Sequence, residues 1–247
     1  MRFAISSRAE GAVRDRLPPR RRIIAPKSNQ TNYVHNPTTF ITLYYKTKLM
    51  TLTPEIQQHR KSTHDIAPYI LNRWSPRAMT GKPIKDETLM SLFEAARWAP
   101  SSYNAQPWRF IYAKRDTEHW NKLFNLMGEF NQSWTKSAAV IIILIARKNF
   151  EHNEKPSVTH MFDAGSAWEN LALEASHRNL VAHGMEGFDY AKAKTALHIP
   201  DNFEVCAMIA IGERADLNTL PENLQKMEVP STRKPLSEII MEGKFKK

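Results

Sequence analysis

A single cysteine, Cys206, among 247 residues has nothing to pair with inside the chain, so a disulfide scaffold is excluded. The lone thiol fits a reducing compartment and is read as a cytoplasmic location. Glycine is also scarce. The eight glycines form neither G-x-G-x-x-G nor G-x-x-x-x-G-K-[ST], which removes the Rossmann fingerprint and the P-loop. The nine histidines show no H-E-x-x-H or similar ligand spacing, so no metal site is assigned. No G-x-S-x-G elbow exists to present a serine nucleophile. Long apolar runs are missing too. The longest, Ala138–Ala146, is about half the ~18–20 residues of a membrane span and reads as a buried strand.

The net charge of +10 is unevenly placed. Ten of the 35 basic side chains and two of the 25 acidic ones fall in residues 1–49, leaving 25 basic and 23 acidic groups in residues 50–247. The body is therefore nearly neutral and offers little of the basic face that nucleic acid requires. Residues 1–49 have no sustained helical or alternating period and read as a poorly ordered extension. Three accounts stay open for them: a targeting peptide, a basic arm for nucleic acid or anionic lipid, or upstream sequence ahead of a start at Met50.

From residue 50 to 247 the pattern alternates helix and strand within one domain. Asp86 reads as the N-cap of a helix carrying Leu89, Leu92, Phe93 and Ala96, with Pro100 beyond its end. Strands are expected at Phe110–Ala113, Ala138–Ala146 and Val205–Ile211, the second central and covered on both faces. Helices are expected over 117–127, 161–182 and 190–197. The longest, around Ala164, Ala167, Leu171, Ala175 and Leu180, suits a buried core or a subunit interface. This is an α+β or three-layer arrangement.

Three clusters carry candidate chemistry. In Arg73-Trp74-Ser75-Pro76-Arg77, Pro76 disfavours helix, and an extended chain puts Arg73, Ser75 and Arg77 on one face. Two guanidiniums and a hydroxyl suit a phosphate, although a solvated basic turn has the same composition. The segment Ala99–Trp108 is a polar loop braced by prolines, able to offer donors and acceptors to a heteroaromatic ring or simply to join helix to strand. In His183–Phe188, Gly184 and Gly187 permit close passage of backbone past a planar ligand, or form a helix C-cap and turn.

Taken in this order, the clusters resemble the nitroreductase family of FMN-dependent oxidoreductases. Arg73, Ser75 and Arg77 match its R-x-S-x-R-like element, and Pro100–Trp108 matches P-S-x-x-N-x-Q-P-W without a gap. Asn131 resembles the family's flavin-bonding asparagine. Gly184, Met185, Glu186 and Gly187 align with its P-x-E-G-like turn, with Gly184 where many relatives have proline. Arg233-Lys234-Pro235-Leu236 resembles its terminal phosphate-binding basic pair.

The resemblance implies a three-layer sandwich with a central mixed sheet, working as an intertwined homodimer with FMN at the interface. It implies that Arg73, Ser75 and Arg233 hold the phosphate and ribityl chain, and that Arg77 lies near the N1/O2 edge of the ring. Asn131 would bond the pyrimidine edge, and the backbone at Glu186 and Gly187 would face N5. Pro100, Ser101, Ser102, Asn104 and Gln106 belong to the same cofactor set, the first three approaching from the partner subunit. Chemistry then resides in the flavin: NAD(P)H delivers hydride, and a nitroaromatic, quinone or similar acceptor removes it, with no protein acid or base assigned. Trp134, His183 and Phe188 are candidates for the acceptor pocket or for plain packing. Reductive dehalogenation, dehydrogenation and flavin binding without turnover are the alternatives at the same site.

Overall fold

The computed structural model describes residues 51–245. The extension 1–49 and the expected start at Met50 lie outside the described residues. In chain order the elements are α1 (Pro54–His59), α2 (Pro68–Asn72), α3 (Asp86–Arg97), β1 (Trp108–Lys114), α4 (Trp120–Phe124) and α5 (Glu129–Thr135). There follow β2 (Val140–Arg147), α6 (His160–His177), β3 (Leu180–Met185), α7 (Tyr190–Ala196), β4 (Phe203–Glu213) and α8 (Glu222–Gln225).

The strands form one sheet in the order β1-β2-β4-β3. Every neighbouring pair is antiparallel, so the sheet of the described residues is not the mixed one expected. The reason is the placement of β4, which inserts between β2 and β3 and runs opposite to both. Between Leu144 and Ile145 the register slips, and Cys206 is the unpaired extra residue of the bulge.

β2 is apolar on both faces because both are covered. Ile141, Ile143 and Ile145 pack with Leu123, Met127, Trp134 and Leu224 on one side. Ile142 and Leu144 pack with Leu89 and Leu92 of α3 and with Ala164, Leu171 and Ala175 of α6 on the other. The period-2 alternation of side chains along the strand divides one apolar run between two cores, giving three layers.

Three boundaries differ from the sequence reading. Lys85 holds the N-cap position of α3 without a side-chain bond, while Asp86 is its first residue. The Asp86 carboxylate accepts instead from Lys114 Nζ at 2.9 Å, tying α3 to β1. The helix expected over 161–182 stops at His177. Asn179 turns the chain at φ +58° and Leu180 begins β3. Leu180-Val181-Ala182 is equally apolar as a buried helix end or a buried strand, so periodicity could not separate the two. The helix expected over 117–127 is likewise confined to Trp120–Phe124.

Leu171 has no exposed surface and sits where α6 meets the sheet. Leu171→Ala is expected to cost about 2–5 kcal/mol, read as a lower midpoint in chemical denaturation. A loss well under ~1 kcal/mol would place α6 outside the cooperative core.

Candidate functional site

Residues 73–78 leave α2 through an extended Arg73, form no helix, as Pro76 favours for its predecessor, and touch β3. His183 of β3 fixes the contact: its Nδ1 lies 2.9 Å from the carbonyl of Pro76, so Nδ1–H donates. The ring packs on Trp134 at 4.6 Å. Burial, with a smaller contribution from the Arg77 charge, pushes the His183 imidazole down to about 4 against the opposing hydrogen bond to Pro76. Arg73 and Ser75 line a cavity of about 410 Å³ with Gly184, Met185 and Glu186. Two of the predicted clusters thus meet there.

The glycines work differently from expectation. Gly184 lies inside β3 and opens no turn. A Cβ there would stand 3.1 Å from the Trp168 indole, so the missing side chain admits that ring. At Gly187 a Cβ would come within 2.6 Å of the Asn131 Nδ2. The close approach lets Asn131 Nδ2 donate to the Gly187 carbonyl at 3.0 Å, while its Oδ1 accepts from Trp134 Nε1 at 3.3 Å. Asn131 and Gly187 border a second cavity, of about 570 Å³.

The C-terminal segment closes the basic side. Arg60, buried at the end of α1, donates from Nε to the Ser231 carbonyl at 3.0 Å. Its Nη1 donates to the carbonyls of Leu71 and Arg73, each at 2.7 Å. One guanidinium therefore joins three stretches of chain. Burial lowers its pKa, and the nearby Arg233 and Arg73 charges lower it further, so these three cations converge. Glu228, also buried, accepts from the backbone N–H groups of Arg77 and Ala78. Neither Arg60 nor Glu228 was in the sequence prediction, because nothing local marks them: one follows a short helix and the other precedes Val229-Pro230.

Two buried guanidinium atoms, Arg73 Nε and Arg77 Nε, have no hydrogen-bond partner. Arg73 Nε lies 3.4 Å from a half-exposed Glu169 oxygen, and Arg77 Nη1 lies 3.9 Å from Glu228. An unspent charged donor on Arg73, which lines the cavity, fits an anionic ligand.

The loop before β1 stands apart. Tyr103, Asn104 and Gln106 all adopt positive φ, near +50°, a costly conformation for residues with side chains. Ser101 Oγ accepts from Gln106 N–H, Gln106 Nε2 donates to the Asn104 carbonyl, and Ser102 N–H donates to the buried Asp163 of α6. Pro100 is exposed ahead of them. This loop enters β1, whereas residues 73–78 flank β3, the opposite edge of the sheet, three strand spacings or about 14 Å away. Within one chain, the sheet separates the two clusters.

Among the described residues, no group of three His, Cys, Asp or Glu side chains could hold a metal ion, and no helix is long and apolar enough to cross a membrane. Cys206 is a free thiol pushed up to about 12 by burial.

The chain is similar to known proteins in sequence and fold. A solved oxidoreductase containing FMN is 45% identical, with a TM-score of 0.73, the match covering 76% of this chain and 96% of that one. A solved nitroreductase from Desulfovibrio desulfuricans, in complex with FMN, is 25% identical with a TM-score of 0.58, over 79% of this chain and 100% of that one. A Streptomyces coelicolor protein named as an NADH dehydrogenase/NAD(P)H nitroreductase is 37% identical over 152 residues, 54% of this chain and 75% of its own length. The model of the Nitroreductase family matches residues 70–133 and 117–213, a span from just before Arg73 to the end of β4. The chain belongs to the nitroreductase family.

Proposed function

We propose that the chain is an FMN-dependent NAD(P)H oxidoreductase that reduces a nitroaromatic, quinone or similar small-molecule acceptor. The observation that carries the reading is the orphaned Arg73 Nε at the cavity that Ser75 and Gly184–Glu186 also line, with a second orphaned guanidinium nitrogen, Arg77 Nε, two residues beyond Ser75.

When bound, FMN supplies a ring that accepts a hydride (one proton and two electrons) from NAD(P)H and releases the same to the acceptor. The residues of the chain hold and orient it. Arg73, Ser75 and Arg233 would take the phosphate and ribityl chain, since charged and hydroxyl donors from separate segments suit a phosphate. Arg77 would stand beside the part of the ring that gains negative charge on reduction. Asn131 has one hydrogen-bonding position on each amide atom beyond its Gly187 and Trp134 contacts, enough for a ring edge. The backbone at Glu186 and Gly187 would complete that wall. His183, held neutral, adds no second charge and leaves the local field to Arg77.

A homodimer is part of the proposal. Pro100, Ser101, Ser102, Asn104 and Gln106 reach the site only if a second copy brings its β1 edge to this β3 edge. In support, Tyr103 is 86% exposed, Phe162 of α6 77% and Val158 92%, and Ile239, Ile240 and Phe245 are exposed near the C-terminus. Apolar surface of this extent asks for a cover.

Purified protein given FMN is expected to retain it through gel filtration, sediment as a dimer, and lose flavin absorbance when NADH or NADPH is added without oxygen. Loss of FMN on the column would overturn the reading. Arg60→Lys removes the planar fork that positions Arg73 and the 231–233 segment, so FMN affinity should fall about tenfold or more while riboflavin affinity holds. Equal losses for both ligands in fluorescence titration would mean general damage instead.

His183 also predicts a pH effect. Its folded pKa is depressed, so between pH 6.5 and about 4 the unfolded chain binds the proton and the folded chain does not. Stability should therefore be complete above pH 6.5 and decline by on the order of 3 kcal/mol as pH falls to about 4. His183→Gln should flatten that part of the curve. An imidazole NMR titration with a midpoint near 6.5 would contradict its burial.

A further inference from the structure

Glu228 has a side chain with no exposed surface, and a buried carboxylate demands compensation. Half of that compensation comes from backbone: Oε1 accepts from the N–H of Arg77 at 2.7 Å and of Ala78 at 2.9 Å. The other oxygen, Oε2, has no hydrogen-bond partner and lies 3.9 Å from Arg77 Nη1. Arg77 Nε is buried and unpartnered as well.

A structural Arg–carboxylate pair closes its fork with two short bonds. This pair does not. The carboxylate anchors the backbone that carries the arginine and attracts the guanidinium, yet consumes none of its donors. At 3.9 Å in a site largely screened from water, that attraction is substantial. His183, a titratable group near Arg77, is neutral over the working range. What Arg77 can offer a ligand therefore depends on how Glu228 restrains its guanidinium.

We infer that Glu228 is a positioning residue for Arg77. It holds the Arg77–Ala78 backbone in place and restrains the guanidinium, and so sets how strongly the site prefers reduced over oxidised FMN. The inference rests on the FMN reading above and concerns a residue outside the motifs that suggested it.

The test is Glu228→Gln in the full chain, since the glutamine oxygen can still accept both backbone N–H groups while the charge is gone. The variant should keep FMN, and its ratio of reduced to oxidised FMN affinity should rise about tenfold, an upward shift of about 30 mV for a two-electron couple. In an Arg77→Gln background the same change should leave the ratio within about twofold, the signature of action through Arg77. Glu228→Asp keeps the charge, so it too should stay within about twofold of wild type, and it supplies the comparison if the glutamine variant does not fold. A wild-type ratio in Glu228→Gln, equal shifts in both backgrounds, or a tenfold rise in Glu228→Asp would each overturn the inference while leaving the FMN reading intact. Failure of the wild-type protein to bind FMN would overturn both.

Discussion

Three guanidiniums drawn from separate stretches of chain repel one another, and the site exists because neutral carbonyls hold them together. Arg60 spends its Nε and Nη1 hydrogens on carbonyls of Leu71, Arg73 and Ser231, so a buried cation is satisfied without a counter-ion. Its lowered pKa reflects that burial and the proximity of Arg73 and Arg233. The remaining attraction is left for a ligand. Glu228 adds the one buried carboxylate on this side, and it anchors Arg77 through backbone N–H groups instead of neutralising the guanidinium by a closed fork.

The sheet decides where these charges can act. β2 and β4 form its interior, filled from both faces, so residues that meet a ligand are confined to its edges and ends. The β3 edge carries Gly184–Gly187 beside the 73–78 segment. The β1 edge carries the strained 101–106 loop, pinned to α6 by Asp163. An antiparallel order with β4 inside keeps those edges apart, and a site needing both calls for two chains. Subunit association and cofactor binding are thus one problem in this proposal.

Much of this was legible in the residues themselves, for identifiable reasons. The Ala138–Ala146 run had to be a central strand, because only coverage on both faces tolerates so many consecutive apolar side chains. Arg73–Arg77 had to lie outside a helix, because Pro76 forbids its predecessor a comfortable helix. The Pro100–Trp108 string pointed to its family by an ungapped order of residues. The end of α6 was misjudged because Leu180–Ala182 suits either element, and the turn depends on Asn179 adopting φ +58°. Gly184 resembled a cap, yet its role is set by the Trp168 ring packed against it.

Local chemistry along the chain sufficed for strand, helix and ligand class, since side-chain period, proline geometry and charge act over a few residues. Folding in space chose the partners: Arg60 for Ser231, Asn131 for Gly187, and Glu228 for the backbone of Arg77. Those pairings span 56 to 171 residues. Burial strengthens them, and it arises only once distant segments have displaced water from between them.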